Sequence, residues 1–134
     1  MKCNVFIFFL FVSQFSFAQN CDVEPIKHLM QKQRFALVYS LAEILTDCNL
    51  SESDKEFVKF NQAKSSLELF NDEAEFRFMQ FLEDYPNGKY NRQAYLFLAK
   101  LHFRNQDYEK VIAKLSNINH YDLKPNEVAM YYFR

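Results

Sequence analysis

An all-α fold of short helices paired in sequence is what this chain of 134 residues predicts, on three observations. Glycine occurs once and proline three times, too few for the tight turns that a β-rich chain needs. Beyond residue 22 the apolar residues recur at helical intervals and never alternate strictly over a strand's length. Short breaks rich in Asn, Asp, Gly and Pro separate the stripes, so successive helices are expected to form antiparallel pairs. A hydrophobic content of 49% is ample for one packed unit.

The first element is not part of that fold. Lys2 precedes the apolar run Val5 to Val12, and small residues follow at Ser16 and Ala18. This is the order of a secretory signal peptide, with cleavage expected after Ala18 and a mature chain beginning at Gln19. The run is too short to span a bilayer comfortably, which takes about 20 apolar residues. Cys21 is not preceded by the small residue of a lipoprotein signal, since Asn20 stands there. Export to the periplasm or cell envelope is the expectation, with no transmembrane segment in the mature residues.

The helical stripes follow in order. Glu24 to Met30 reads as a short first helix, with Pro25 suited to its opening turn. Phe35, Val38 and Ala42 mark a second. Phe57, Phe60, Ala63, Leu67 and Phe70 trace one face of a third, and Ala74, Phe78, Phe81, Leu82 and Tyr85 one face of a fourth. Tyr95, Leu98, Ala99 and His102 form the next, and Tyr108, Val111, Ile112 and Leu115 the one after. Turn and cap residues lie between them at Gln31 to Arg34, Asn71-Asp72, Tyr85 to Gly88, Asn105 to Asp107 and Leu123 to Asn126.

These stripes repeat. Tyr95-x-x-Leu98-Ala99-x-x-His102, the turn Asn105-Gln106-Asp107-Tyr108 and Val111-x-x-x-Leu115 resemble one tetratricopeptide repeat, first helix, turn and second helix. Ala74-x-x-x-Phe78 with Tyr85-Pro86 resembles the second helix and closing proline one unit earlier, and Arg34 to Ala42 the same helix one unit before that. Small residues at Ala74 and Ala99 let helices approach to about 8 to 9 Å, while Tyr95, Phe78 and Leu115 fill the spaces between turns. The match has departures. The first helix is imperfect, no Leu-Gly pair occurs around Asn61-Gln62-Ala63, the turn at Asn71-Asp72 is about a residue short, and Pro125 comes two places late.

The endings Phe17-Ala18-Gln19, Phe81 to Asn87 and Leu123 to Arg134 are similar to those of exported tetratricopeptide-repeat proteins of the Bacteroidota type. The resemblance implies helix pairs stacked as a right-handed solenoid, about three repeats plus the first helix of a fourth. The expected divisions are a signal peptide at 1–18, a divergent pair at 19–51, repeats at 52–88 and 89–125, and a truncated fourth at 126–134. Tyr131, Tyr132 and Phe133 would then stand on a half-formed hairpin, as expected of the N-terminal piece of a longer array.

Chemistry of the enzymatic kind finds no motif: one glycine allows no phosphate loop, and no nucleophile elbow, H-E-x-x-H or paired-carboxylate arrangement can be placed. His28, His102 and His120 are far apart and read as surface or half-buried residues, so neither metal nor cofactor is expected. The formal net charge of −1 offers nucleic acid no basic field. A non-catalytic scaffold for other proteins or peptide segments is the expectation. The alternative is the exported repeat region of a sensory, regulatory or enzymatic protein whose activity lies after Arg134. In tetratricopeptide arrays the first helix of each pair lines the groove, which by resemblance marks Gln93, Leu96, Lys100, Phe103 and Arg104, with Lys64 one repeat before Lys100. Aligned lysines with Arg104 one turn on could hold a carboxylate of an extended peptide or chain terminus. Cys21 and Cys48 flank the first helix pair and would meet side by side as a disulfide, or stand as two free thiols.

Overall fold

The computed structural model describes residues 21–132, all of whose regular elements are helical. Residues 1–20, which include the expected signal peptide, and residues 133–134 lie outside them. The helices are α1 (Glu24–Gln31), α2 (Phe35–Thr46), α3 (Glu52–Glu68), α4 (Ala74–Asp84), α5 (Asn91–Arg104), α6 (Tyr108–Leu115) and α7 (Pro125–Tyr132), with a 3₁₀ turn at His120–Asp122. Pro25 sits in the opening turn of α1, where its missing N–H costs nothing. Ser51 caps α3 by accepting from the Asp54 N–H, and Asp107 caps α6 by accepting from the Lys110 N–H. The expected boundaries after residues 51 and 88 fall in loops, whereas Pro125 is already the first residue of α7.

One turn geometry closes α1, α3 and α5. Gln33, Phe70 and Gln106 each take a left-handed conformation, with φ of 54°, 57° and 61°. The next N–H in each case bonds five residues back: Arg34 to the Leu29 carbonyl, Asn71 to Ser66 and Asp107 to His102. These are Schellman closures made without glycine. Phe70 is thereby taken off the apolar face expected for it and stands 72% exposed.

Buried triads recur behind these turns. Val38, Ala42 and Leu45 on α2 are matched by Ala74, Phe78 and Phe81 on α4, and all six are buried. Val111, Leu115 and Ile118 follow with the same internal spacing. The first triad packs with Ile26, Leu50 and Val58, and the second with Phe60, Ala63, Leu67, Ala94, Leu98 and Leu101. Helix α3 serves both, giving Val58 to one cluster and Phe60, Ala63 and Leu67 to the other. Phe60 stacks on Tyr90 at 4.6 Å between ring centres, and Phe78 stacks on Phe97 at 5.8 Å. Full burial of a side chain such as Phe78 contributes roughly 2 to 3 kcal/mol.

The third triad is covered less. Helix α6 has no buried residue, and Ile112 is 70% exposed. Its expected core stripe is therefore only half realised: Val111 and Leu115 are half-buried, while Tyr108 and Ile112 face solvent. The reason is geometric, because α3 covers the α2 triad and α5 the α4 triad, whereas α7 packs mainly on α5. His102 is a second correction, since it is fully buried and not a surface or half-buried histidine.

Cys21 and Cys48 are joined as a disulfide, with α-carbons 5.9 Å apart. Cys48 belongs to the first cluster and Cys21 packs against it, so the bridge ties the start of α1 to the end of α2.

Candidate partner-binding face

Helices α3 and α5 lie against each other and present their cations to one another. Lys64 and Lys100 are close enough to repel, and Glu68, one turn after Lys64, answers both. Lys100 Nζ is 3.2 Å from Glu68 Oε1. The Lys64 ammonium sits 5.4 Å from the centre of the Phe97 ring. Arg104, one turn beyond Lys100, stacks its guanidinium over Phe70 at 4.6 Å.

Electrostatics follow from this crowding. Burial pushes the Lys64 pKa below the ordinary lysine value, Glu68 pulls it up, and Lys100 pushes it down again. An anion arriving here would oppose the first and last of these effects. Arg104 offers a different chemistry, since a guanidinium stacked on a ring keeps its in-plane N–H donors for a carboxylate. The left-handed turn at Phe70 is what places that ring under Arg104.

Three of the six residues expected to line a groove come together: Lys64, Lys100 and Arg104. Gln93 is engaged elsewhere, with Glu127 of α7. Burial there raises the Glu127 carboxyl, but hydrogen bonds from the Lys124 N–H, Arg92 and Gln93 outweigh it and hold the group below its usual range. Phe103 is half-buried and meets Tyr108 edge-on at 5.8 Å, part of an apolar cleft between α5, α6 and α7. Leu96 was expected in the groove and is instead 2% exposed. Thirty-six positions earlier stands Phe60, also buried, so this register of the α5 helix belongs to the core.

Glu68, Phe70 and Phe97 complete the face and were not read from the sequence as part of it. Glu68 had a signal, its i,i+4 relation to Lys64. The two aromatics had none, because an apolar residue at helical spacing reads as core.

Among the described residues no group of His, Cys, Asp and Glu could hold a metal ion, and no helix is long and apolar enough to cross a membrane. Compared with protein-family models, curated proteins and solved structures, the chain matches none.

Proposed function

We propose that the chain is a non-catalytic scaffold of the cell envelope, built from tetratricopeptide-like repeats stacked as a right-handed solenoid, that takes up extended segments of other proteins. The observation that carries this reading is the recurrence of one unit: a left-handed closure at Gln33, Phe70 and Gln106, each followed by a triad of the same internal spacing. A helix pair of this kind cannot bury its apolar face alone, and stacking identical units is the general solution. Export rests on the Lys2 to Ala18 pattern.

The face on α3 and α5 is the proposed groove. A carboxylate of the partner, on a side chain or at a chain terminus, would pair with Lys100 and Arg104, with Lys64 adding charge from the neighbouring repeat. Terminally free and amidated versions of an acidic peptide, titrated into the protein and into a Lys100→Glu, Arg104→Glu variant, test this. Binding that requires the free carboxylate or acidic side chains and is lost in the variant, with helix content unchanged, is the expected result. Equal affinity in both proteins would remove these residues from the function.

A further inference from the structure

Helices α2, α4 and α6 meet through polar side chains, and the positions they use recur. On α2, Tyr39 and Glu43 reach α4. Arg77 donates to the Tyr39 hydroxyl, its guanidinium lies 4.8 Å from the centre of that ring, and it is 3.7 Å from Glu43 Oε1. Glu73 joins them, accepting from the Tyr39 hydroxyl at 3.3 Å. One unit on, the residues equivalent to Tyr39 and Glu43 are Glu75 and Met79, and these reach α6. Lys114 Nζ is 3.3 Å from Met79 Sδ. Asp107 first, and then Glu75, hold the Lys110 pKa above its ordinary value. Each of these helices thus has a forward side, one and five residues after the first member of its triad. Its backward side lies one residue before that member and three and six after it.

The two sides that meet no neighbour among the described residues differ in chemistry from those that do. The backward side of α4 is Glu73, Arg77 and Gln80, and that of α6 is Lys110, Lys114 and Asn117. On α2 the same three positions are Leu37, Leu41 and Ile44, with Leu37 57% and Ile44 52% exposed. At the other extreme, the forward side of α6 is Ile112 and Ser116, and Ile112 is 70% exposed beside the exposed Tyr108. Ile112 also lines an apolar cleft of about 450 Å³ with Tyr108, Val111 and Leu115. Terminal units of a helical stack ordinarily carry polar outer faces. Here the order is reversed: the sides in use are polar, and the two outermost are apolar.

We propose that the chain associates head to tail with a second copy of itself, the α2 face of Leu37, Leu41 and Ile44 covering the α6 face of Ile112 and Tyr108. In that contact Leu37 and Leu41 stand to Ile112 as Glu73 and Arg77 stand to Tyr39, so the junction between copies continues the stacking within each. Apolar meets apolar there, whereas either face set on an internal-type side would bury charges without partners. The short outer helices leave room for it. Shifted back by 37 positions, the spacing from Ala74 to Val111, α7 falls on 88–95; shifted forward by 73, the spacing from Val38 to Val111, α1 falls on 97–104. Helix α7 packs on α5 as α5 packs on α3. The α1 of an incoming copy would therefore lie beyond the end of α7 and not upon it, the two together forming one helix of the α5 kind. Because the two faces differ, the contact is heterologous and does not close at a dimer.

Sedimentation velocity of the mature chain over a range of concentrations tests this. The weight-average sedimentation coefficient is expected to rise with concentration and to pass the value of a dimer. Leu37→Asp blocks one face and Ile112→Asp the other, so each variant alone should lose the rise and sediment as a monomer. Mixed, the two variants retain one complementary pair of faces and should form a 1:1 dimer that grows no further. Both positions are exposed, so circular dichroism and melting should match the parent protein; Ile44→Asp serves in place of Leu37→Asp if that variant does not fold. Lys100→Glu is expected to leave the association unchanged, which keeps it independent of the α3–α5 face. A parent chain that stays monomeric throughout would overturn the proposal and leave these faces to another protein or to further units of the array. Association that stops at a dimer, persists in either variant alone, or is not restored by mixing them would overturn it as well.

Discussion

The Lys100 ammonium of α5 rests 3.2 Å from the Glu68 carboxylate of α3, so the cation proposed to meet a partner already has an internal competitor. Both side chains are partly exposed and the pair contributes at most about 1 kcal/mol to stability. Glu68→Gln is therefore expected to leave melting nearly unchanged and to tighten binding of an acidic peptide several-fold. Calorimetric titration of the two proteins checks this, and weaker binding in the variant would mean that Glu68 itself contacts the ligand.

The left-handed turns carry a cost that glycine would remove. Gln33 and Gln106 hold φ of 54° and 61° with side chains that disfavour that region. Gln33→Gly and Gln106→Gly are each expected to stabilise the fold by about 0.5 to 1 kcal/mol, read from denaturant midpoints. Phe70→Gly relieves the same backbone but removes the ring under Arg104, so a smaller gain with weaker peptide binding is expected there.

His102 makes stability depend on pH. Its ring is fully buried, with Nε2 3.4 Å from Glu75 Oε1 and no hydrogen bond. Burial lowers its pKa below 6.5; Glu75 opposes this, Lys110 and Lys114 add to it, and Asp107 opposes it. A histidine with a depressed folded pKa contributes stability that is present above the unfolded value and lost as pH falls from 6.5 through the folded value. Urea midpoints between pH 8 and pH 5 should fall on the acid side, and His102→Phe should flatten that part of the profile. An unchanged slope in the variant would place the acid sensitivity elsewhere.

Oxidation should matter for the first helix pair. The Cys21–Cys48 bridge closes a loop of 27 residues, for which chain entropy gives about 3.5 kcal/mol of stabilisation. Thiol titration of denatured, unreduced protein should find neither cysteine free. Cys48→Ser, which also removes a buried core atom group, should lower the unfolding free energy by at least that amount.

Much of the helical order was legible because it follows from spacing. Val38, Ala42 and Leu45, then Ala74, Phe78 and Phe81, recur at a period that apolar stripes alone reveal. The short turn at Asn71-Asp72 was visible too: Ala74 follows Phe70 by four positions where Val38 follows Gln33 by five. Other features were not legible, for identifiable reasons. Leu96 looked like a groove position when judged within α5, and only alignment with Phe60 in α3 reveals it as core. Phe70 read as the end of a stripe because spacing says nothing about where a helix takes its left-handed closing residue. The α6 stripe read as core because periodicity marks a face that wants covering and is silent about whether a neighbour covers it.

Hydrogen exchange with and without a saturating acidic peptide tests the central claim most directly. If the chain takes up extended segments on the face of α3 and α5, added protection should appear in residues 64–70 and 97–104 while α2 and the outer side of α6 exchange as before. Protection confined to α2 or α6, or none at all under saturation, would contradict it.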